Sequence, residues 1–330
     1  MNIAKVRDNT VTILGGLVIA ICGYAYAYAE VRSNDQQPDK ILTKEEVLTR
    51  DFSALPLSGK IEREIWQTKN WHMAEGGLAK RRDGHLAESE PSDLQNLSPV
   101  EKIDHCRKLR GLELKFTKEE LAHIAGPCPS WAGECHNIRR IQYLRTEAPS
   151  PFLLDDLEIS SQEAIALDCL YLDHHTNQNS DLYLSAGRRD APRGTLINAG
   201  AFHLVLTKLI GQMGKSFIYI PEFFGVGREI YNELVLEYSS TIRKATPSSA
   251  EVYTKLRVLS EDPQGVDVIE ERHLHYILDL EDNQIVGGFW LDAIGGPYII
   301  WRPNSASDEK IKSGECIKDL LQEKENVGNC

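Results

Sequence analysis

Apolar residues fall at two spacings along this chain, and the spacing changes near residue 215. Between 201 and 211, AFHLVLTKLIG sets Phe202, Val205, Leu206, Leu209 and Ile210 at the i, i+3, i+4 interval of one helix face. Earlier, AIALDCLYL at 164–172 sets Ile165, Cys169 and Leu172 on a similar stripe, which predicts a helix with Cys169 as a buried core thiol. Phe217–Ile220 reads as a strand, and 228–239, REIYNELVLEYS, fits strand or helix. From Tyr253 strands dominate: YTKLRVLSE, HLHYILDLE, QIVGGFWLD and YIIWRP. The turn EDNQ at 281–284 joins two of them as a hairpin. Helices first and a strand meander afterwards define an α+β fold with an N-terminal helical region.

Cap signals set the helix starts. SPVE at 98–101 offers Ser98 as N-cap, Pro99 at the first helical position and Glu101 to close a capping box. TKEE at 43–46, TKEE at 117–120 and SSQE at 160–163 announce three more helices, and Gly126 stops one of them. Residues 66–97 are charged with little periodicity and predict a long surface loop.

The N-terminus alters the picture. Lys5 and Arg7 precede VTILGGLVIAICG, and YAYAYAE ends with Ala27 and Ala29 in A-x-A spacing. This predicts a secretory signal peptide over 1–29, cut after Ala29, or a retained membrane anchor over the uncharged residues 11–29. The Gly and Tyr interruptions favour the cleaved signal. The expected location is secreted or periplasmic, or anchored and facing away from the cytoplasm. Domains are expected as a linker and helical region over 30–125, a core domain over 126–310 and a C-terminal tail over 311–330. The formal net charge of −12, with no basic cluster beyond Lys80-Arg81-Arg82 and Arg188-Arg189, argues against nucleic acid as a partner.

Seven cysteines are present, and Cys22 lies in the signal. The rest fold where disulfides are permitted. Cys316 and Cys330 close a short loop, and Cys106 and Cys128 flank two predicted helices, so these are the expected pairs. No C-x-x-C and no D-x-[DN]-x-[DN]-G loop occurs, and no metal or other cofactor is expected. Cys135, in WAGECHN, remains open as a nucleophile, half a disulfide or a small apolar residue in a turn. Ile138, Ile141 and Leu144 predict a helix starting about at Cys135, where dipole and free N–H groups favour a thiolate.

Several stretches together resemble the transglutaminase-elicitor family, secreted transglutaminases of oomycetes and bacteria. They are LSPVEKID (97–104), WAGECHN (131–137), AFHLVLTKLIG (201–211), SFIYI followed by EIYNELV (229–235), and YILDLEDNQIVGGFW with PYIIWRP (276–303). The resemblance implies a papain-like, transglutaminase-like core: a helix carrying Cys packed on an antiparallel sheet that brings the base. It places Cys135 at the nucleophile, His203 at the histidine and Trp131 at the Trp before the Cys, where the indole N–H holds an oxyanion or the substrate amide. Asn137-Ile138-Arg139-Arg140 replaces the family's Gly/Ala-Trp. The family Asp falls on Ile220, and Glu222, two residues on, is the substitute acid. Asn232 is kept and is a candidate to orient the histidine.

Other histidines are placed by chemistry alone. His136 adjoins Cys135, but neighbours i and i+1 do not face each other on a helix. His174 and His175 fall in a polar loop. His273 and His275 share a strand face and are reserve bases. The implied activity is acyl transfer through a Cys135 thioester, from a protein or peptide glutamine donor to an amine acceptor. The alternatives are a cysteine peptidase or amidase, and a catalytically inactive relative that binds a protein or cell-wall component.

Overall fold

The structure is a computed structural model that describes residues 38–87, 94, 96–126, 133–176, 183–187, 196–221, 231–292, 296–304 and 309–322. A large antiparallel sheet organises it. Its strands run in the order β4 (Tyr183–Gly187), β10 (Pro297–Pro303), β5 (Ile218–Pro221), β6 (Glu233–Thr246), β7 (Ser249–Glu261), β8 (Asp267–Glu281) and β9 (Gln284–Trp290). A short β1 (Ser58–Lys60) extends the β6 edge beyond β5, pairing Gly59 with Tyr238. A separate hairpin joins β2 (Phe152–Leu154) to β3 (Leu157–Ile159).

The expected EDNQ hairpin forms between β8 and β9. Glu281 pairs with Gln284, and Asp282 and Asn283 have φ of 48° and 63°, the left-handed pair that a tight two-residue turn requires. The ambiguous 228–239 segment resolves as strand from Glu233. Its β-branched and aromatic residues pair with β7 along nearly its whole length.

Alternation along the strands gives the sheet two faces. Ala250, Val252, Leu256, Val258, Leu274, Tyr276, Leu278 and Ile300 face one core. Helix α5 (Ala199–Leu206), continued by a π-turn over Thr207–Gln212, covers this side with Phe202, Val205, Leu206 and Leu209. Ile218, Ile220, Leu234, Leu259, Ile299 and Trp301 face the opposite core. Helix α3 (Cys135–Leu144) packs there through Tyr143. Each fully buried aliphatic side chain stabilises by about 1.5–3 kcal/mol, so both layers are strongly held. Beyond α3 the second face carries exposed Lys255, Glu271 and His273.

The remaining helices are α1 (Pro99–Leu109), α2 (Phe116–Ile124), α4 (Ser161–Thr176), α6 (Glu309–Ser313) and α7 (Cys316–Leu320). The α1 capping box forms as expected, with Ser98 N–H donating to Glu101 Oε2 at 2.8 Å. The α4 box forms too, Ser160 N–H reaching Glu163 Oε2 at 2.8 Å. Helix α2 is capped from outside. Asp104 on α1 accepts from the N–H groups of Lys115, Phe116 and Thr117, so Thr117 lies inside the helix rather than at its cap.

The structure corrects three further expectations. TKEE at 43–46 makes one turn, with Thr43 N–H on Glu46 Oε2 at 2.9 Å, but no helix follows. Glu46 is instead drawn into an ion pair with buried Arg302 on β10. His174 sits on α4, not in a loop, edge-on to Phe116 and 3.5 Å from Glu119. Within the expected tail, Ile311, Cys316 and Leu320 are buried in the helical layer.

Among the described residues no helix is long and apolar enough to cross a membrane, and no group of three or more His, Cys, Asp or Glu is placed to hold a metal ion. Residues 1–37, with the expected signal or anchor, lie outside the described residues.

Candidate active site

Cys135 is the first residue of α3, as its spacing predicts. It is half-buried and carries a free thiol. The side chain of Asn232, just ahead of β6, donates from Nδ2 to Cys135 Sγ at 3.3 Å. Asn232 Oδ1 accepts from Trp301 Nε1 at 3.3 Å, so the amide is clamped between β10 and the helix. Its backbone carbonyl accepts from Arg139 Nε at 2.8 Å.

Arg139 is wholly buried one turn along α3. It is satisfied by Asp267 Oδ1 and Gln142 Oε1, both at 2.6 Å. Asp267 in turn accepts from Gln142 Nε2 at 2.6 Å and Thr68 N–H at 2.9 Å. A fully connected buried network of this kind fixes geometry, here that of Asn232 against the thiol.

The thiol is not a resting thiolate. Burial pushes Cys135 up to about 11, and the Glu261 carboxylate adds to this; the Asn232 hydrogen bond and the Arg139 charge pull the other way. On balance these push the thiol above its ordinary value, not below it as expected at a helix N-terminus.

Asn232 is the one other predicted site residue that the described structure brings to Cys135, and it touches the thiol itself rather than orienting a histidine. His203 is not brought there. It lies on α5, its Nδ1 2.8 Å from the Tyr276 hydroxyl, which pairs with Thr254 Oγ1 at 2.8 Å. Tyr276 belongs to the core opposite the one that holds Trp301, so the sheet separates His203 from Cys135. Burial pushes His203 down to about 4, a neutral core imidazole. Its helical spacing was legible; which face of the sheet its helix covers was not. Trp131 and Glu222 lie outside the described residues.

The other histidines divide similarly. His136 is directed to Asp173 on α4, Nε2 to Oδ1 4.0 Å. Asn137 Nδ2 donates to Asp173 Oδ1 and Glu134 Oε2, each at 2.8 Å. Burial, then the Asp173 charge, push Glu134 well above the carboxylate range. His275 pairs with Glu251 at 2.9 Å on the second sheet face beyond α3.

The sequence gives no signal for two groups that do come near. The His72 backbone forms an antiparallel bridge with Gly133, and its Nε2 lies 3.9 Å from Glu261 Oε1. Glu261 ends β7 two residues past Leu259, which pairs with Leu234, and so lies opposite Asn232 in register. Gly133 makes this approach possible, since a Cβ there would fall 2.7 Å from Trp71 O and 3.2 Å from His72 Cα.

Cys106, Cys169 and Cys316 are also free and buried. Cys128 and Cys330, expected to pair with Cys106 and Cys316, lie outside the described residues. Cys169 packs with Ile138, Ile165 and Leu172 as an apolar filler, as its stripe predicts.

A helix bearing a cysteine at its N-terminus and packed on an antiparallel sheet belongs here to a transglutaminase-like fold. The likeness is to the crystal structure of the GP42 transglutaminase from Phytophthora sojae, at 15% identity and a TM-score of 0.54, covering 81% of this chain and 89% of that one. No family model and no curated protein matches the chain.

Proposed function

We propose that this protein is an exported cysteine acyltransferase of transglutaminase type, with a papain-like arrangement of helix and sheet around Cys135. The observation that carries the reading is the Asn232–Cys135 contact: a free thiol at a helix N-terminus, held by an amide donor that a tryptophan and a buried arginine fix in place.

In the reaction, Cys135 Sγ attacks the carboxamide carbon of a glutamine side chain, ammonia leaves and a thioester remains. An amine resolves it as transfer, and water resolves it as hydrolysis. The positive end of the α3 dipole lies at Cys135 and favours a developing oxyanion beside it. The Asn232 amide stabilises negative charge on the sulfur or beside it. Trp131 and Glu222 stay as proposed helpers from the family resemblance, and export rests on residues 1–29.

The test is glutamine-dependent incorporation of monodansylcadaverine into casein, with ammonia release measured in parallel. Incorporation that Cys135→Ala abolishes supports the reading. Ammonia without incorporation makes the protein an amidase. Neither product from the wild type refutes acyl transfer. In that last case the raised thiol and the displacement of His203 favour the second reading, a binding protein on the same scaffold.

A further inference from the structure

We infer that His72, held by Glu261, is the base of the Cys135 site, resting on the reading of Cys135 as an acyl-transfer nucleophile. Three placements carry this. His72 bridges Gly133 through its backbone, and Gly133 is two residues from Cys135, a stretch of chain that spans at most about 7 Å. Glu261 acts on both partners, its charge on the thiol and its Oε1 3.9 Å from His72 Nε2. Gly265 packs against the imidazole, where a Cβ would fall 2.9 Å from both Cε1 and Nε2, so the ring lies against the β7–β8 turn while the His72 backbone pairs with the segment entering α3.

The His72 and Glu261 side chains are 14% and 8% exposed, shielded yet not sealed. Glu75 also faces His72, and Arg139 faces Cys135 from within α3.

The proton path balances. As Sγ attacks, its proton passes to the His72 imidazole and the S–C bond forms. The amide C–N bond then breaks, and the same proton leaves with ammonia. The acceptor amine attacks the thioester and gives a proton to His72. The S–C bond breaks and Sγ takes that proton back. A thiol that stays protonated at rest suits a base that works during attack rather than a preformed ion pair. Glu261 acts through His72 and is a positioning residue.

The experiment compares wild type, Cys135→Ala, His72→Ala and His203→Gln as full chains. Substrates are N-benzyloxycarbonyl-glutaminylglycine and hydroxylamine, and circular dichroism confirms folding. His72→Ala is expected to lower kcat by about 10²–10⁴-fold. Added imidazole should restore part of it, tracking imidazole's neutral form, while His203→Gln stays near wild type. Full activity in His72→Ala overturns the inference, as does a folded, inactive His72→Ala that imidazole does not rescue. An inactive wild type refutes the acyl-transfer reading instead. Iodoacetamide labelling of Cys135 at pH 7 then judges His72 alone: faster labelling in wild type than in His72→Ala supports the pairing, and equal rates overturn it.

Discussion

Replacing Asp267 by Asn should both destabilise the protein and activate its thiol. The Arg139 and Asp267 side chains are 1% and 3% exposed, and their ion pair at 2.6 Å sits inside the network that holds Asn232. The substitution conserves shape, so no cavity opens. It leaves the Arg139 guanidinium buried without its counter-charge and sets an amide NH₂ against the donors of Gln142, Thr68 or Arg139 itself. Stranding one member of a buried pair costs about 3–5 kcal/mol, on the order of 10 °C in Tm for a chain of this size. Arg139→Met should cost a similar amount, and the double variant less than the sum, because no charge is then stranded. The thiol separates the two single variants. Asp267→Asn leaves Arg139 positive and unneutralised near Cys135, so alkylation at pH 8 should quicken. Arg139→Met removes a charge that lowers the thiol, so alkylation should slow. Urea unfolding followed by tryptophan fluorescence, with iodoacetamide kinetics read by peptide mapping, measures both. Asp267→Asn within about 1 kcal/mol of wild type, or alkylation moving the same way in both variants, would refute this account of the network.

Other outcomes follow from the same geometry. Asn232→Ala should slow Cys135 alkylation at pH 8 by removing the hydrogen bond that lowers the thiol, and should cost about 0.5–1.5 kcal/mol by removing the hydrogen bond that Asn232 Oδ1 accepts from Trp301 Nε1; the alkylation rate and Tm check it. Burial alone would raise Glu46 and Glu163, but their partners, chiefly Arg302 for the first and Arg82 with Lys102 for the second, hold each at about 2. Both lie below the usual 4.5, so each contributes about 3 kcal/mol that is present above pH 4.5 and lost as pH falls toward 2; Tm between pH 5 and pH 2.5 should fall steeply, and less so in Glu46→Gln. Folded His203 protonates only near pH 4, whereas the unfolded chain does so near 6.5, so its contribution is full above 6.5 and lost by about 4. His203→Gln should flatten Tm over that window and leave Cys135 alkylation at pH 8 unchanged. Gly133→Ala drives a methyl into Trp71 O and should lower stability by about 1–3 kcal/mol, read as a drop in Tm.

The sequence makes visible what is local and hides what is tertiary. Period-two alternation marked β7 to β10, and turn chemistry marked the Asp282-Asn283 hairpin, because both are written in neighbouring residues. Ser98 and Ser160 announced real helices because apolar stripes followed them. Thr43 carried the same cap signal, but its Glu46 had a stronger partner in Arg302, more than 250 residues away. Cys135 was legible as a helix start. Asn232 was legible only through the family resemblance, and nothing local shows that it meets a thiol across the fold. His203 shows the converse: its period revealed a packed helix, while the side of the sheet it covers depends on how the whole chain folds. His72 and Glu261 carry no periodic or motif signal. Glycine at 133 and 265 lets their segments approach, and that is visible only once the backbones are in place.

The strand that supplies Trp301 has a kinetic consequence. β10 inserts between β4 and β5, Ile299 pairing with Ile220 on one side and Gly187 on the other, although it is the last strand among the described residues. During synthesis, therefore, β4 and β5 emerge with facing edges unpaired and wait for more than seventy further residues. The Asn232 clamp cannot close until residue 301 has left the ribosome. Contacts of such long sequence separation close slowly, and exposed edges invite pairing with other chains meanwhile. The site is thus among the last features to assemble, and Cys135 meets its lasting surroundings only when the sheet is complete.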